Sequence, residues 1–238
     1  MITAKNVSLF KKSLEGISSL IQETNVRFKD DGIYIKAIDK TQILLIDFYF
    51  PKYFFENYSV DPSLVGLNIQ EVYNMLSRSF EKDKLKLELK ENSLQINLLG
   101  AIQRKFNTSF IDISDSDISI PEINYESIIT VPAYFLKEIL KDVSLISSTL
   151  TLKLVDNKLI IESFGEKGDI EVSVLKAKVK SKKNVCVKFS LAYLKNITKS
   201  IDNDCEIILK LKDDSPLFLE YNIEKDIKIK FYLSCMLF

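Results

Sequence analysis

The sequence has no histidine and no tryptophan, and only three cysteines, five prolines and six glycines among its 238 residues. Without imidazole the chain cannot build a Ser-His or Cys-His nucleophile pair, a histidine general base or a histidine metal site. Most common hydrolase and zinc mechanisms are thereby excluded. Cys186, Cys205 and Cys235 are odd in number and far apart, so neither a disulfide framework nor a C-x-x-C zinc site is expected. The glycines at 16, 32, 66, 100, 165 and 168 spell neither G-x-G-x-x-G nor G-x-x-x-x-G-K-S/T, which removes the phosphate cradles of dinucleotide and P-loop proteins. No apolar run reaches about 18 residues, so no membrane-spanning helix is expected. The start, Met1-Ile2-Thr3-Ala4-Lys5, lacks the basic and then apolar layout of a signal peptide. A soluble intracellular protein without metal or cofactor is expected, and any catalysis would rest on carboxylates, Lys, Tyr or Ser.

What is present is ordered and repetitive. A composition 46% hydrophobic and 28% charged is that of a globular protein, and the length suits two domains of about 100 to 150 residues. Residues 8–21 place Phe10, Leu14, Ile17 and Ile21 at helical spacing, and alternating runs at 26–29 and 33–36 flank the turn Asp30-Asp31-Gly32. The same order recurs. Val72, Met75 and Leu76 precede strands at Leu85 to Leu89 and Leu94 to Leu98. Leu136, Ile139, Leu140 and Val143 precede strands on either side of Asp156-Asn157. Leu191, Leu194 and Ile197 precede strands on either side of Asp213-Asp214. A short strand comes before each helix, and a further strand closes each unit at 43–48, 103–110, 170–175 and 227–233. The pattern is strand, helix and three strands, written four times.

These units pair into an α+β protein of two similar domains, residues 1–113 and 126–238, with a connector at 114–125 closed by Pro121-Glu122. Each antiparallel sheet needs one face covered, and two helices per domain can cover it. The strands at 103–110 and 170–175 end their sheets, so pairing between chains would protect their edges.

Charge sums to zero, 33 basic against 33 acidic residues, so a case for a polyanion partner rests on distribution. Projected at about 100° per residue, every helix turns a cation away from its apolar stripe. The first exposes Lys11 and Lys12, the second Arg78 beside Asn74 and Ser77, the third Lys141 and Glu138 with Lys137 at the flank, and the fourth Lys195 and Lys199. Any one lysine is the usual solvated face of a helix. Recurrence in four related helices, with short polar residues between, instead suits contact with phosphates that does not read bases. The run Lys176, Lys178, Lys180, Lys182, Lys183 is expected as a solvated loop between strands rather than a nucleic-acid patch or localisation signal. Asp112, Asp115 and Asp117 lack the glycine and terminal glutamate of a calcium loop.

The segment Ala37-Ile38-Asp39-Lys40-Thr41-Gln42-Ile43-Leu44-Leu45-Ile46-Asp47 resembles the A-M-D-x-x-x-V-x-L-V-x-L segment of sliding clamps of the proliferating cell nuclear antigen type. Lys11-Lys12, Ile118-Ser119-Ile120-Pro121-Glu122, Phe189 to Leu194 and Pro216 to Tyr221 match further clamp segments in order, and the likeness runs from Lys5 to Leu233. The resemblance implies a ring of three chains with antiparallel sheets outside and helices inside, enclosing double-stranded DNA without sequence preference. It implies a processivity factor, not an enzyme, that tethers DNA polymerase and repair enzymes after a clamp loader closes it. By position, Lys11, Lys12, Lys141 and Lys199 match channel cations. Clients would bring a short glutamine and double-aromatic motif to a pocket of Ile38, Ile43, Leu45, Ile118, Ile120, Pro121, Pro216, Tyr232 and Leu233. Such a protein works on the chromosome, in the cytoplasm of an archaeon or the nucleus of a eukaryote.

Two departures stand out. The end, Leu233-Ser234-Cys235-Met236-Leu237-Phe238, replaces the family's Leu-Ala-Pro followed by a basic and an apolar residue. The family is also usually acidic, whereas this chain is neutral. A subunit of a mixed or checkpoint-type clamp is therefore the second reading, and a carboxylate-dependent hydrolase the third.

Overall fold

The computed structural model describes residues 1–4, 6–114 and 118–237. Asp115 and Asp117, and with them the candidate acidic cluster of the connector, lie outside the described residues. The first repeats comprise β1 (Ile2–Ala4), α1 (Ser8–Ser18), β2 (Glu23–Lys29), β3 (Gly32–Ile38), β4 (Leu44–Pro51), a 3-10 turn at Lys52–Phe54, β5 (Asn57–Tyr58), β6 (Ser63–Asn68), α2 (Ile69–Leu76), β7 (Lys84–Leu89), β8 (Ser93–Leu99) and β9 (Arg104–Ser109). The later repeats comprise β10 (Ser127–Pro132), α3 (Ala133–Val143), β11 (Thr149–Val155), β12 (Lys158–Gly165), β13 (Gly168–Ser173), β14 (Lys178–Ser181), β15 (Val185–Ser190), α4 (Leu191–Lys199), β16 (Glu206–Leu211), β17 (Leu217–Glu224) and β18 (Ile227–Leu233).

The chain divides into two compact units. Unit 1 is Met1–Asp39, Ile46–Ser119 and Ile223–Ile229; unit 2 is Lys40–Leu45, Ile120–Asn222 and Lys230–Phe238. In unit 1 the strands run in the orders β5-β1-β7-β8-β9 and β4-β3-β2-β6. In unit 2 the orders are β13-β12-β11-β15 and β14-β10-β16-β17, continued by β18. As expected, β9 and β13 each end a sheet.

The helices cover these sheets because each has one apolar stripe. In α1, Phe10, Leu14 and Ile17 are buried together with Ser13 and Gly16, small residues that let α2 lie close. Asn68 caps α2 by accepting from Glu71 N at 3.0 Å. In unit 2, α3 packs on β10 of one sheet and β12 of the other, while α4 packs on β11 and β15. Both sheets thus share one helical layer.

Helix α1 stops at Ser18, earlier than the periodicity suggested. Ile21 is buried beyond the helix end, with its N–H still bonded to Ile17 O at 2.9 Å. At the β11–β12 turn, Asp156 and Asn157 take φ of 49° and 58°, the paired left-handed geometry that suits a two-residue hairpin. The lysine run expected as a loop contains a strand: β14 pairs antiparallel with β10, Lys180 opposite Ile128 and Val179 opposite Ile129. Lys178 and Lys180 are exposed while Val179 and Ser181 are half-buried. This is the period of an edge strand, masked in sequence because lysine favours strands weakly except at protected edges.

Candidate nucleic-acid interface

In unit 1, Lys11 and Lys12 lie half-buried on α1. Helix α2 ends at Leu76, so Ser77 and Arg78 sit in the turn after it rather than on its outer face. Arg78 is exposed, and Ser77 Oγ donates to Tyr73 O at 2.8 Å. The outward side of α2 itself is polar and uncharged at Asn74, whose Oδ1 accepts from Gln70 Nε2 at 3.1 Å.

Unit 2 is more cationic. Between α3 and α4 runs a groove of about 390 Å³ lined by Lys137, Lys141, Lys195 and Lys199 with Leu140, Asn196, Thr198 and Asn203. Lys195 and Lys199 are exposed, one turn apart on α4. Lys141 pairs with Glu138 Oε1 at 2.6 Å, and that carboxylate pushes the Lys141 ammonium pKa upward. The Lys141 side chain nevertheless stays 67% exposed. An exposed pair of this kind is worth little in water and exchanges readily for a phosphate.

Lys137, expected at the flank of the third helix, is tied down there. Its Nζ donates to the Ile201 carbonyl and, at 3.2 Å, to Asn203 Oδ1. The backbone repeats the link: Ala133 N donates to Cys205 O at 2.8 Å and Tyr134 N to Asn203 O at 3.3 Å. Lys137 therefore ties α3 to the carbonyls beyond the end of α4, where a cation is favoured, and fixes the groove while also lining it.

The helix faces carry sparse cations among hydroxyl and amide side chains, with the exposed acids Glu15 and Glu71 and the half-buried Glu138 between them. Such a surface attracts phosphates and carries no base-reading geometry. Among the described carboxylates with resolved shifts, Glu88 is held down at about 2 by Lys86 and Lys90, and Glu126 is lowered by Lys183. Both are acceptors held ionised, the opposite of a general acid tuned upward for catalysis.

The expected docking residues distribute unevenly. In unit 2, Ile43 and Pro121 are exposed, and Leu45, Ile120, Pro216 and Tyr232 are half-buried. Leu233 is 0% exposed, so it is a core residue and does not contribute to a docking surface. Its position on β18 alternates with Tyr232, and one of two successive strand residues must point inward. In unit 1, Ile38 is exposed and Ile118 half-buried. Sequence reasoning missed Tyr125 and Phe218. Tyr125 Oη donates to Pro216 O at 3.0 Å, and the Phe218 ring lies 6.2 Å from Tyr125 and 5.3 Å, edge-on, from Tyr232. Burial pushes the Tyr125 phenol pKa up. An aromatic at the end of the connector and another in Pro216-Leu217-Phe218 were the signals available.

The chain matches the family models for the proliferating cell nuclear antigen N-terminal domain over residues 1–128 and C-terminal domain over residues 119–236. It is 26% identical over 232 residues to the DNA polymerase sliding clamp of Pyrococcus furiosus, covering 94% of this chain and 93% of that one. It is 29% identical over 230 residues to that of Methanococcus maripaludis, covering 92% of each. Among solved structures, PCNA from Thermococcus kodakaraensis superposes with a TM-score of 0.92 at 23% identity over 99% of both chains. PCNA from Entamoeba histolytica gives 0.90 at 23% identity over 99% of this chain and 98% of that one. The fold, with two helices per half laid against antiparallel sheets, is the clamp fold, and the chain belongs to the proliferating cell nuclear antigen family of DNA sliding clamps.

Proposed function

We propose that three copies of this chain close into a ring around duplex DNA, with the helix face of each unit toward the phosphates. The working domain limits are 1–113 and 126–238, joined by 114–125. The observation that carries the reading is the recurrence of a cation-bearing helix pair in both units. Lys11, Lys12 and Arg78 serve in one, and Lys137, Lys141, Lys195 and Lys199 in the other. A topological link needs no tight grip, and sparse cations leave the ring free to move, because every added phosphate contact steepens salt dependence and slows sliding.

The free sheet edges favour pairing of like chains. β9 carries Arg104 and Lys105 and no acid, whereas β13 carries Asp169 and Glu171 and no base. Exposed apolar side chains accompany each edge, Phe80 (51%) under Arg104 and Phe164 (66%) opposite Asp169. Two different, complementary edges make a head-to-tail contact, and such contacts close into rings when the rotation permits. The scaffold performs no chemistry. It holds polymerase and other clients at the template through peptides seated on Ile43, Leu45, Ile120, Pro121, Pro216 and Tyr232, after a loader opens and closes it.

Light scattering tests the ring directly: the expected mass is three times the 27.4 kDa protomer. The assembled species, once loaded, is expected to be retained on circular DNA and lost from a linear molecule with free ends. A tight monomer with a sequence preference would overturn the reading. The departure at Ser234-Cys235-Met236 favours one alternative, a subunit of a mixed ring, which would fail to trimerise alone and would purify with sibling chains.

A further inference from the structure

One row of side chains on unit 2 is not used by the helix face. Across β14, β10, β16 and β17 the register places Lys180 opposite Ile128, Ile128 opposite Lys210, and Lys210 opposite Phe218. Directly opposed residues share a sheet face, so these four form a line that ends at the aromatic cluster of Phe218, Tyr125 and Tyr232. Lys210 Nζ sits over the Phe218 ring, 4.6 Å from its centre. Ile128 is 43% exposed between the two lysines. The neighbouring Lys178 and Lys183 are neutralised by Glu206 and Glu126. Among the described residues, Lys180 and Lys210 have no such carboxylate.

We propose that this row extends the docking surface and selects client peptides carrying acidic side chains beside the anchoring aromatic. The inference rests on the docking reading above and names the partner more closely. Lys–Ile–Lys suits a peptide better than a nucleic acid, since phosphates make no use of an exposed isoleucine between two cations. Spacing sets the pattern. Strands lie about 4.8 Å apart, so Lys210 is about 5 Å and Lys180 about 14 Å from Phe218. An extended peptide crossing the strands advances about 3.3–3.6 Å per residue. Acidic residues two and four positions from the aromatic, about 7 and 14 Å along, therefore share one face of the peptide; the fourth arrives at Lys180, and the second falls within reach of the long side chain of Lys210.

The test uses the whole protein and fluorescein-labelled synthetic peptides that carry the glutamine and double-aromatic core. Aspartate or alanine is placed at the second and fourth positions on either side of the last aromatic. Anisotropy at low salt is expected to show the aspartate peptide of one flank binding about 3- to 10-fold more tightly than its alanine twin. The ratio should fall towards one in 0.5 M salt and in the variant Lys180→Met/Lys210→Met, whose folding is checked by its melting curve. Equal affinities for the aspartate and alanine peptides, with both bound, would overturn the acidic preference and leave the docking reading intact. Failure of every core peptide to bind would overturn both. A short DNA duplex that displaces the aspartate peptide in wild type and not in the double variant would assign the row to nucleic acid and overturn the peptide proposal.

Discussion

The two units end alike but not equally. In unit 1 the chain leaving β9 laps back on β6, with Ile111 N donating to Gly66 O at 2.9 Å. In unit 2 the tail leaving β18 laps back on β15, with Met236 N donating to Lys188 O at 2.8 Å. The first closure is tight. A Cβ on Gly66 would stand 2.1 Å from Ile111 O, and Asn25 Nδ2 adds bonds to the carbonyls of Ile113 and Ser114, each at 3.3 Å. The second closure accommodates a lysine. At Gly66 backbone presses on backbone and only glycine fits; at Lys188 a side chain is tolerated.

That contrast yields the largest expected effect. Gly66→Ala is expected to destabilise unit 1 by about 1–3 kcal/mol, the usual cost of forcing atoms into a filled site. Lys188→Ala should stay within about 0.5 kcal/mol. Urea melts of both variants decide it, and equal midpoints would show that the exit segment does not bear on β6 in solution.

The helix faces differ in the same direction. Unit 2 presents the exposed Lys195 and Lys199 on α4, whereas unit 1 presents half-buried lysines on α1 and an α2 that carries no cation and the exposed Glu71. Lys195→Glu/Lys199→Glu is therefore expected to reduce polymerase stimulation on a primed circle by about tenfold and to shift the slope of log affinity against log salt by about 2 units. Lys11→Glu/Lys12→Glu should do distinctly less. A larger loss from the α1 pair would mean that the half-buried lysines reach further than their exposure suggests. Lys137→Met sharpens the comparison: its effect should appear in the melting temperature as well as on DNA, because Nζ holds the carbonyl of Ile201.

Periodicity made the repeats legible because burial of one face is a local property of a helix or strand. The turns at Asp30-Asp31, Asp156-Asn157 and Asp213-Asp214 stood out for the same reason. What periodicity cannot carry is the identity of a distant partner. Lys137 and Lys141 are read alike from one helix, yet one is tied to a carbonyl 64 residues away and the other faces water. Leu233 and Tyr232 are read alike as apolar, and only the pairing of β18 decides which one points inward. β14 was hidden because its alternation is lysine against valine and serine, a pattern that a solvated loop imitates until β10 pairs with it.

The smallest effects separate the two units by pH. At the end of β7, Glu88 lies between Lys86 and Lys90, and those hydrogen-bonded cations hold its pKa at about 2, below the ordinary 4.5 of a glutamate. Its contribution is fully present above the unfolded value and is lost as pH falls towards 2. On β11, Lys153 pairs across the ladder with Glu162, and that hydrogen bond raises the lysine above 10.5. Its contribution is present below that value and is lost as pH rises through the folded pKa. Glu88→Gln should thus flatten the stability profile between about pH 4.5 and 2 and leave the alkaline limb alone, changing stability at pH 7 by less than about 1 kcal/mol, while Lys153→Met should flatten the alkaline limb and cost more at pH 7, because it leaves the buried Glu162 without its cation. Urea midpoints across pH for the two variants check this, and a Glu88→Gln profile parallel to wild type through the acid range would show that Lys86 and Lys90 do not hold the carboxylate.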